Sequence, residues 1–495
     1  MAQPLHYLNY LEGLQSDLSP LLVAPNALSL QLNCNTSYRL GSIYKRLGYS
    51  RVQGTIEAGN AITGLFHFRQ NSSTVETLAT VNDATDDDTQ LFYRTTGAWI
   101  EIGAAETAWA GVANAAVEIE SFIEYAFFVG WDVTDGFLPV ASLTATTTFS
   151  TATNVGSMPQ AKFIKRYRDR LYIGNCRTGG TNFPFRVYFS STPSAGAITW
   201  TPATDFIAVD HSEEITGLGE NWDRLIVFTE YSAYMYNQAE NKKVWDVGCS
   251  NHRTIKNAGA HMFWANRDGV WDSTGGRPNN IAGRVIDFIR FGNPNNFFAE
   301  IVDEEYYLYV GTVTVNGITY TNTVLVYNIP SQTWRTHTYA DGFNIFAKVF
   351  SAGHDLLYMG ATDGDVHVHS KYYDATPIYS DGQVGATVGS PIASWFQTGA
   401  LTMGDPSLPK KIDKIFAYSE RAHLLKLKAR VIDRNAQVKT EFHKLGELSK
   451  YINEFPCNPD KGNWLQIEGT EHSTNPYWSL FGFTVLVTPE ERIKP

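Results

Sequence analysis

The sequence predicts an all-β protein: a β-propeller of about six blades, preceded by an extended N-terminal arm and followed by a C-terminal β-sandwich. Three observations lead there. Short apolar-aromatic runs recur, the later ones starting at residues 170, 224, 261, 306 and 355, in steps of 54, 37, 45 and 49 residues. Most runs pass through a Gly or Asp-Gly turn into a second strand-like run, as at Asn266-Arg267-Asp268-Gly269, Val315-Asn316-Gly317 and Asp363-Gly364. Composition agrees, with 40 Gly, 28 Phe, 26 Tyr and 12 Trp against 18% charged residues, a balance that favours strands and turns over long helices.

Taken in chain order, residues 1–55 carry scattered Pro and Leu without a sustained period and read as an arm laid over another part of the molecule. Residues 56–385 hold the recurring hairpins and read as the propeller. Between 375 and 400 the chain is rich in Gly, Ser, Thr and Pro, the composition of a linker, so residues 386–495 are set apart as the sandwich. Within it, Leu425, Leu427 and Ala429 alternate with Lys426, Lys428 and Arg430, a strand with one basic face. Residues Val438 to Ile452 are read as a short helix. Total helix is expected below about 15%.

Charge and cysteine content exclude several functions. With 39 Lys+Arg against 50 Asp+Glu the net charge is −11, which argues against gripping nucleic acid over the whole surface. No apolar run is long enough for a membrane-spanning helix, and the first residues lack the pattern of a secretion signal. Cys34, Cys176, Cys249 and Cys457 lie far apart and read as free thiols.

Candidate sites are few. Four tryptophans precede aspartate (Trp131, Trp222, Trp245 and Trp271), but the Gly-His pair of a WD repeat does not precede them, so they read as core tryptophans beside turn aspartates. Tyr327 to Trp334 resembles the end of a kelch repeat and occurs once. His367 and His369 share a strand face near Asp363 and Asp365. A third ligand at defined spacing is missing, so a solvated face is preferred and no metal is expected. The run Asp83, Asp86, Asp87 and Asp88 lacks the regular alternation of a calcium loop and reads as a hairpin tip. The motifs HExxH, GxSxG, GxxxxGK[ST] and GxGxxG are missing, as is the aspartate-box of sialidase-type propellers, so no catalytic residue or cofactor is assigned. Basic residues cluster at Lys162, Lys165, Arg166, Arg168 and Arg170. Arg39, Lys45 and Arg46 form a basic turn without a nearby acidic partner in sequence, and Lys410, Lys411 and Lys414 open the last domain. These last six are the candidate assembly contacts, three on an arm expected to pack against the C-terminal domain and three on that domain.

One resemblance adds to this reading. Gly13-Leu14, Ser19-Pro20-Leu21-Leu22, Asn33, Asn35, Gly41-Ser42-Ile43 and Lys45-Arg46-Leu47-Gly48-Tyr49 resemble the opening of tail nozzle and tail-hub proteins of tailed bacteriophages. Gly248-Cys249-Ser250 through Arg267-Asp268-Gly269-Val270-Trp271 is similar to that family's most regular blade, and Thr398-Gly399 through Lys410-Lys411-Ile412 to the entry of its C-terminal β-domain. Leu28 to Leu32 departs from the acidic, alanine-rich stretch of the family, which leaves nozzle, hub or stabilisation subtype open. The resemblance implies a virion protein made in the host bacterial cytoplasm, assembled as a ring of about six copies beneath the portal and adaptor. Tail fibres or the tail tip would be further partners. Genomic DNA would be retained and then pass through the ring without specific binding, and no chemical step would be performed. The competing reading is a propeller enzyme or lectin-like module acting on host surface polysaccharide.

Overall fold

The computed structural model describes residues 3–36, 41–70, 75–83, 85–144, 148–210, 212–237, 241–351, 353–372, 374, 376–385, 387–405, 407–420, 425–433, 443–448, 451–457, 461–474 and 478–489. Strand accounts for 59% and helix for 5%, so the protein is all-β. Successive four-strand meanders surround one axis. Their innermost strands are Ile62–Arg69, Ala116–Phe122, Gln160–Tyr167, Ile215–Asn221, Lys256–Ala258, Phe298–Val302 and Phe343–Ser351, and residues from all of them line a single axial cavity. Six of these units form sheets separate from the rest, the number of blades expected from the repeat, the last of them completed by a strand of the arm. The unit 298–338 completes the ring but is not closed on itself. Its last strand pairs in parallel with the arm strand Leu28–Leu32, through Leu32 and Thr336, and so runs on into the C-terminal sheet.

The hairpin signals work as their chemistry requires. At Asn316-Gly317 both residues have positive φ (52° and 78°), the conformation whose twist matches the flanking strands. Trp222-Asp223 adopts the same geometry (48° and 59°), and Trp222 is 63% exposed. This corrects the reading of Trp222 as a core residue: it is itself in the turn. The fully buried indole of that region is Trp264, which stacks on Trp245 at 5.5 Å.

Apolar burial lies mainly between blades. Phe68, Leu78 and Leu91 of one sheet pack with Val117, Phe128 and Leu143 of the next, and Phe127 and Val129 with Ile164 and Leu171 of the one after. The pattern repeats around the axis until Ile345, Val349 and Val366 pack on Ile62 and Leu65. Closure depends on the arm. The last sheet holds three strands from 343–369, and its outermost strand is Tyr49–Arg51, in the register Arg51↔His367, Ser50↔Val368, Tyr49↔His369.

The rest of the arm is woven into residues 390–489. Gln3–Leu8 pairs with Ser479–Pro489, Leu28–Leu32 with Ser390–Thr398, and Ile43–Lys45 with both Cys34–Asn35 and Ser479–Pro489. Two sheets result, sharing a core that includes Tyr7, Tyr10, Leu28 and Ile43 from the arm with Phe396, Ile415, Leu427, Ile467, Trp478 and Phe483. Two expectations are corrected here. Residues 390–398 are a strand rather than linker, because Ile392, Ser394, Phe396 and Thr398 alternate inward beneath a Ser/Thr-rich composition. His443–Glu447 and Ile452–Pro456 are strands where a helix was expected, and the segments 438–442 and 449–450 lie outside the described residues. Among the described residues no helix is long and apolar enough to cross a membrane.

Candidate functional site

The propeller axis holds two cavities, of about 480 and 950 Å³. Glu118, Arg253 and Phe298 border both, so they form the septum between them. The local sequence explains how Arg253 reaches the axis. Asn251 accepts from the Arg253 N–H and caps a 3₁₀ turn, His252–Thr254, which juts inward between two blades. From there Arg253 Nε donates to Glu118 Oε1 (2.7 Å), while Nη2 donates to the carbonyls of Thr63 (2.7 Å) and Val117 (3.0 Å). One side chain thus stitches blades that are distant in sequence and blocks the axis.

The electrostatics follow from burial. Removal from water would raise the Glu118 carboxyl, but the Arg253 guanidinium beside it holds it below the usual carboxylate range. Burial pushes the His252 imidazole down to about 4, so it is neutral at pH 7, and its Nδ1 accepts from the Leu218 N–H (3.2 Å). Around the smaller cavity, Lys165 pairs with Glu120 (3.6 Å) and Lys256 with Glu300 (3.1 Å). The larger cavity is rich in amides, among them Asn114, Asn175, Asn251, Asn293 and Asn295, with Trp131 on its wall. Its carboxylates are Glu118 and Glu214. Glu118 is ionised and bound, so it does not supply the protonated acid of glycoside cleavage.

The candidate assembly residues have mixed fates. Arg39 lies outside the described residues. Lys45 and Arg46 are corrected as surface contacts, because both are fully buried within the chain: Lys45 pairs with Glu471 (2.9 Å) and Arg46 with Asp381 (2.6 Å). Their partners lie more than 300 residues away, beyond any search along the sequence. Lys410 is buried at 4% exposure, with its ammonium donating to the Asp405 and Leu408 carbonyls, and is likewise removed from the surface. Lys411 and Lys414 remain at the surface, beside Asp413 and Glu454. The basic run near residue 165 is also partnered internally, with Lys162 over the Trp131 ring at 3.8 Å and Arg168 on Asp223. The acidic run is a hairpin tip in which Asp83 Oδ1 accepts from the Thr85 and Asp86 N–H groups. Asp88 is pushed up to about 6 by burial and neighbouring carboxylates. The four cysteines are free, three of them buried.

The sheet that the arm shares with the C-terminal strands presents a second feature. Register places Leu8, Gly482, Tyr418 and Ile452 in one row across four strands, and His6, Thr484, Phe416 and Glu454 in the next row on the same face. Successive residues alternate between the core and this outer face. Leu8 is 50% and Ile452 59% exposed, and Tyr451 beside it 72%. The face is therefore partly apolar and open to solvent.

Comparison with known proteins adds little to this geometry. No family model matches the chain, and no curated protein does. Among solved structures, one described as "AfRom2 CNH domain" is similar over 67% of this chain and all of its own length, at 9% identity and a TM-score of 0.40.

Proposed function

We propose that this chain is a structural subunit of a bacteriophage tail, of the nozzle or hub kind. In this reading it works as a ring of about six copies beneath the portal and adaptor that retains the genome and conducts DNA on ejection. The observation that carries the proposal is the open face Leu8–Tyr418–Ile452. A row that exposes Leu8 and Ile452 on either side of a half-buried Tyr418 is what an interface between copies requires. The blocked axis agrees with it, since a DNA conduit then lies between copies rather than through any one propeller. Negative-stain micrographs and sedimentation of the purified chain, at concentrations up to tens of micromolar, test the proposal. Rings with a central opening are expected, and Leu8→Asp with Ile452→Asp should abolish them. A chain that stays monomeric throughout overturns the proposal.

The second reading, binding of host surface polysaccharide, is favoured by the amide-rich cavity with Trp131 on its wall, because amides and an indole face suit sugar hydroxyls and rings. Retention of the monomer on immobilised host polysaccharide, lost in Trp131→Ala, would establish it.

A further inference from the structure

The turn that leads into the closing strand pair of the propeller carries an unexplained group of side chains. Asp363 and Asp365 flank Gly364, and His367 follows on the strand Val366–His369, against which the arm strand Tyr49–Arg51 zips. A carboxylate oxygen from each aspartate and one imidazole nitrogen lie within 4.8 Å of one another. Asp363 is exposed, Asp365 half-buried, and His367 only 3% exposed.

The histidine needs an explanation. Neither of its ring nitrogens has a hydrogen-bond partner, although the ring is enclosed between Tyr49 (centroids 4.9 Å apart) and Phe343 (6.1 Å). Buried polar groups are nearly always satisfied, and one left unsatisfied costs about 1–3 kcal/mol. Asp341 approaches from the other side, with Oδ2 at 3.6 Å from Nε2, but that oxygen accepts from the Tyr49 hydroxyl (2.7 Å). Three carboxylates therefore face this imidazole, and the cation beside them is Arg51, whose Nη1 is 3.3 Å from Asp365. Net negative charge around a buried imidazole without a partner is the electrostatic signature of a cation site. His369, the other histidine of the strand, is not part of it. Its Nδ1 contacts the Ser370 carbonyl (2.8 Å), and its ring lies beside Tyr307 and Tyr339.

We propose that Asp363, Asp365 and His367 bind one divalent transition-metal ion of the zinc or manganese class, and that this ion latches the closure of the propeller ring. One imidazole and two carboxylates are the donor set that such ions accept, leaving the remaining positions to water. Ligand atoms around an ion held at about 2.0–2.2 Å stand at most about 4.4 Å apart, so three groups already within 4.8 Å of one another come within reach of one ion by small side-chain movements. The latch would act where the chain closes. The segment after the arm strand folds over the same turn, with the Ile56 N–H donating to the Gly364 carbonyl (3.0 Å) and the Gly59 N–H to that of Asp363 (3.0 Å). Gly364 has φ of +89°, and a Cβ there would stand 1.8 Å from the Glu57 carbonyl oxygen, so the turn is built for this approach.

The experiment uses the untagged full chain, stripped with chelator and titrated with ZnCl₂ and separately with MnCl₂, with bound metal measured by mass spectrometry and affinity by calorimetry. One equivalent per chain is expected. Saturation at a hundredfold over Kd should raise Tm by roughly 2–3 °C if the chain unfolds as one unit. Asp363→Asn, at an exposed position where folding is not at risk, should weaken binding at least tenfold, and His367→Gln should do the same. Less than a tenth of an equivalent bound at about ten micromolar free metal, or binding unchanged in Asp363→Asn, overturns the proposal.

Discussion

Arg46 joins the arm, the propeller and the C-terminal sheets, and replacing it with Met tests how they are held together. Its Nε donates to Asn33 Oδ1 (2.8 Å), and Nη1 to the Leu47 carbonyl and Asp381 Oδ1 (both 2.8 Å). Nη2 donates to Asp381 Oδ2 (2.6 Å) and the Thr338 carbonyl (2.5 Å), and the guanidinium stacks 4.3 Å from the Tyr339 ring centre. Met keeps the apolar stem and removes the charge, leaving Asp381 buried without a counter-charge. Removing one partner of a buried pair costs about 3–5 kcal/mol. Unfolding entropy near 2.1 cal/mol/K per residue gives roughly 1 kcal/mol/K for the whole chain, so Tm should fall by about 4 °C if everything unfolds together. If the arm and C-terminal sheets, roughly 160 residues, unfold alone, the same loss is worth about 12 °C in that transition. Differential scanning calorimetry distinguishes the two cases. Arg46→Met combined with Asp381→Asn should recover at least half of the loss, which, with the cost of Asp381→Asn alone measured beside it, gives a coupling energy of at least about 2 kcal/mol. A change in Tm below about 1 °C for Arg46→Met would refute the argument, because a buried guanidinium with these partners cannot be removed without cost.

Three further outcomes are expected. His252 titrates near 4 when folded and near 6.5 when unfolded, so the unfolded chain binds the extra proton. Stability from this group is therefore complete above about pH 6.5 and lost as pH falls towards 4, by about 3 kcal/mol, a slope that urea titrations should show flattened in His252→Gln. Deleting residues 2–35 removes Tyr7, Tyr10, Leu28 and Cys34 from the shared core but spares Tyr49–Arg51, so limited proteolysis should digest residues 390–489 while the propeller survives. Gly48→Ala would place a Cβ 1.9 Å from the Ser380 carbonyl oxygen, and the urea midpoint should report a loss of about 1–3 kcal/mol from the displaced backbone.

The propeller was legible in the sequence because its signals are local. Asn316-Gly317 states its own turn, and runs such as Tyr306 to Gly311 state their own strands. The alternation of Leu427 and Ala429 with Lys426 and Lys428 likewise predicted a strand that is buried on one face. What escaped depends on distance along the chain. Lys45 and Arg46 look unpaired until Glu471 and Asp381 are brought to them, and Arg253 gives no sign that Thr63 and Val117 will be its acceptors. Ser390–Thr398 was hidden for another reason: Ser and Thr occupy inward positions usually held by aliphatic residues, so composition outweighed pattern. His367 and His369 share a face, as period two requires, yet different neighbours, Tyr49 and Phe343 for the first and Tyr307 and Tyr339 for the second, separate their surroundings.

The position of Ser479–Pro489 has a consequence for how the protein is made. This strand lies between Gln3–Leu8, made far earlier, and Lys410–Glu420. At about 5–20 residues per second, the arm waits roughly 25–100 s for its partner. During that interval the propeller sheets from 62 to 369 can form in order of synthesis, and the ring can close on Tyr49–Arg51 as soon as Val366–His369 emerges. Leu28–Leu32 can take up its parallel contact with Thr333–Thr338 in that time, but its other edge stays open until Ser390–Thr398 arrives. Folding of the composite layer thus waits for residues 479–489, and a chain truncated before them is left with an apolar arm that lacks its partner strands.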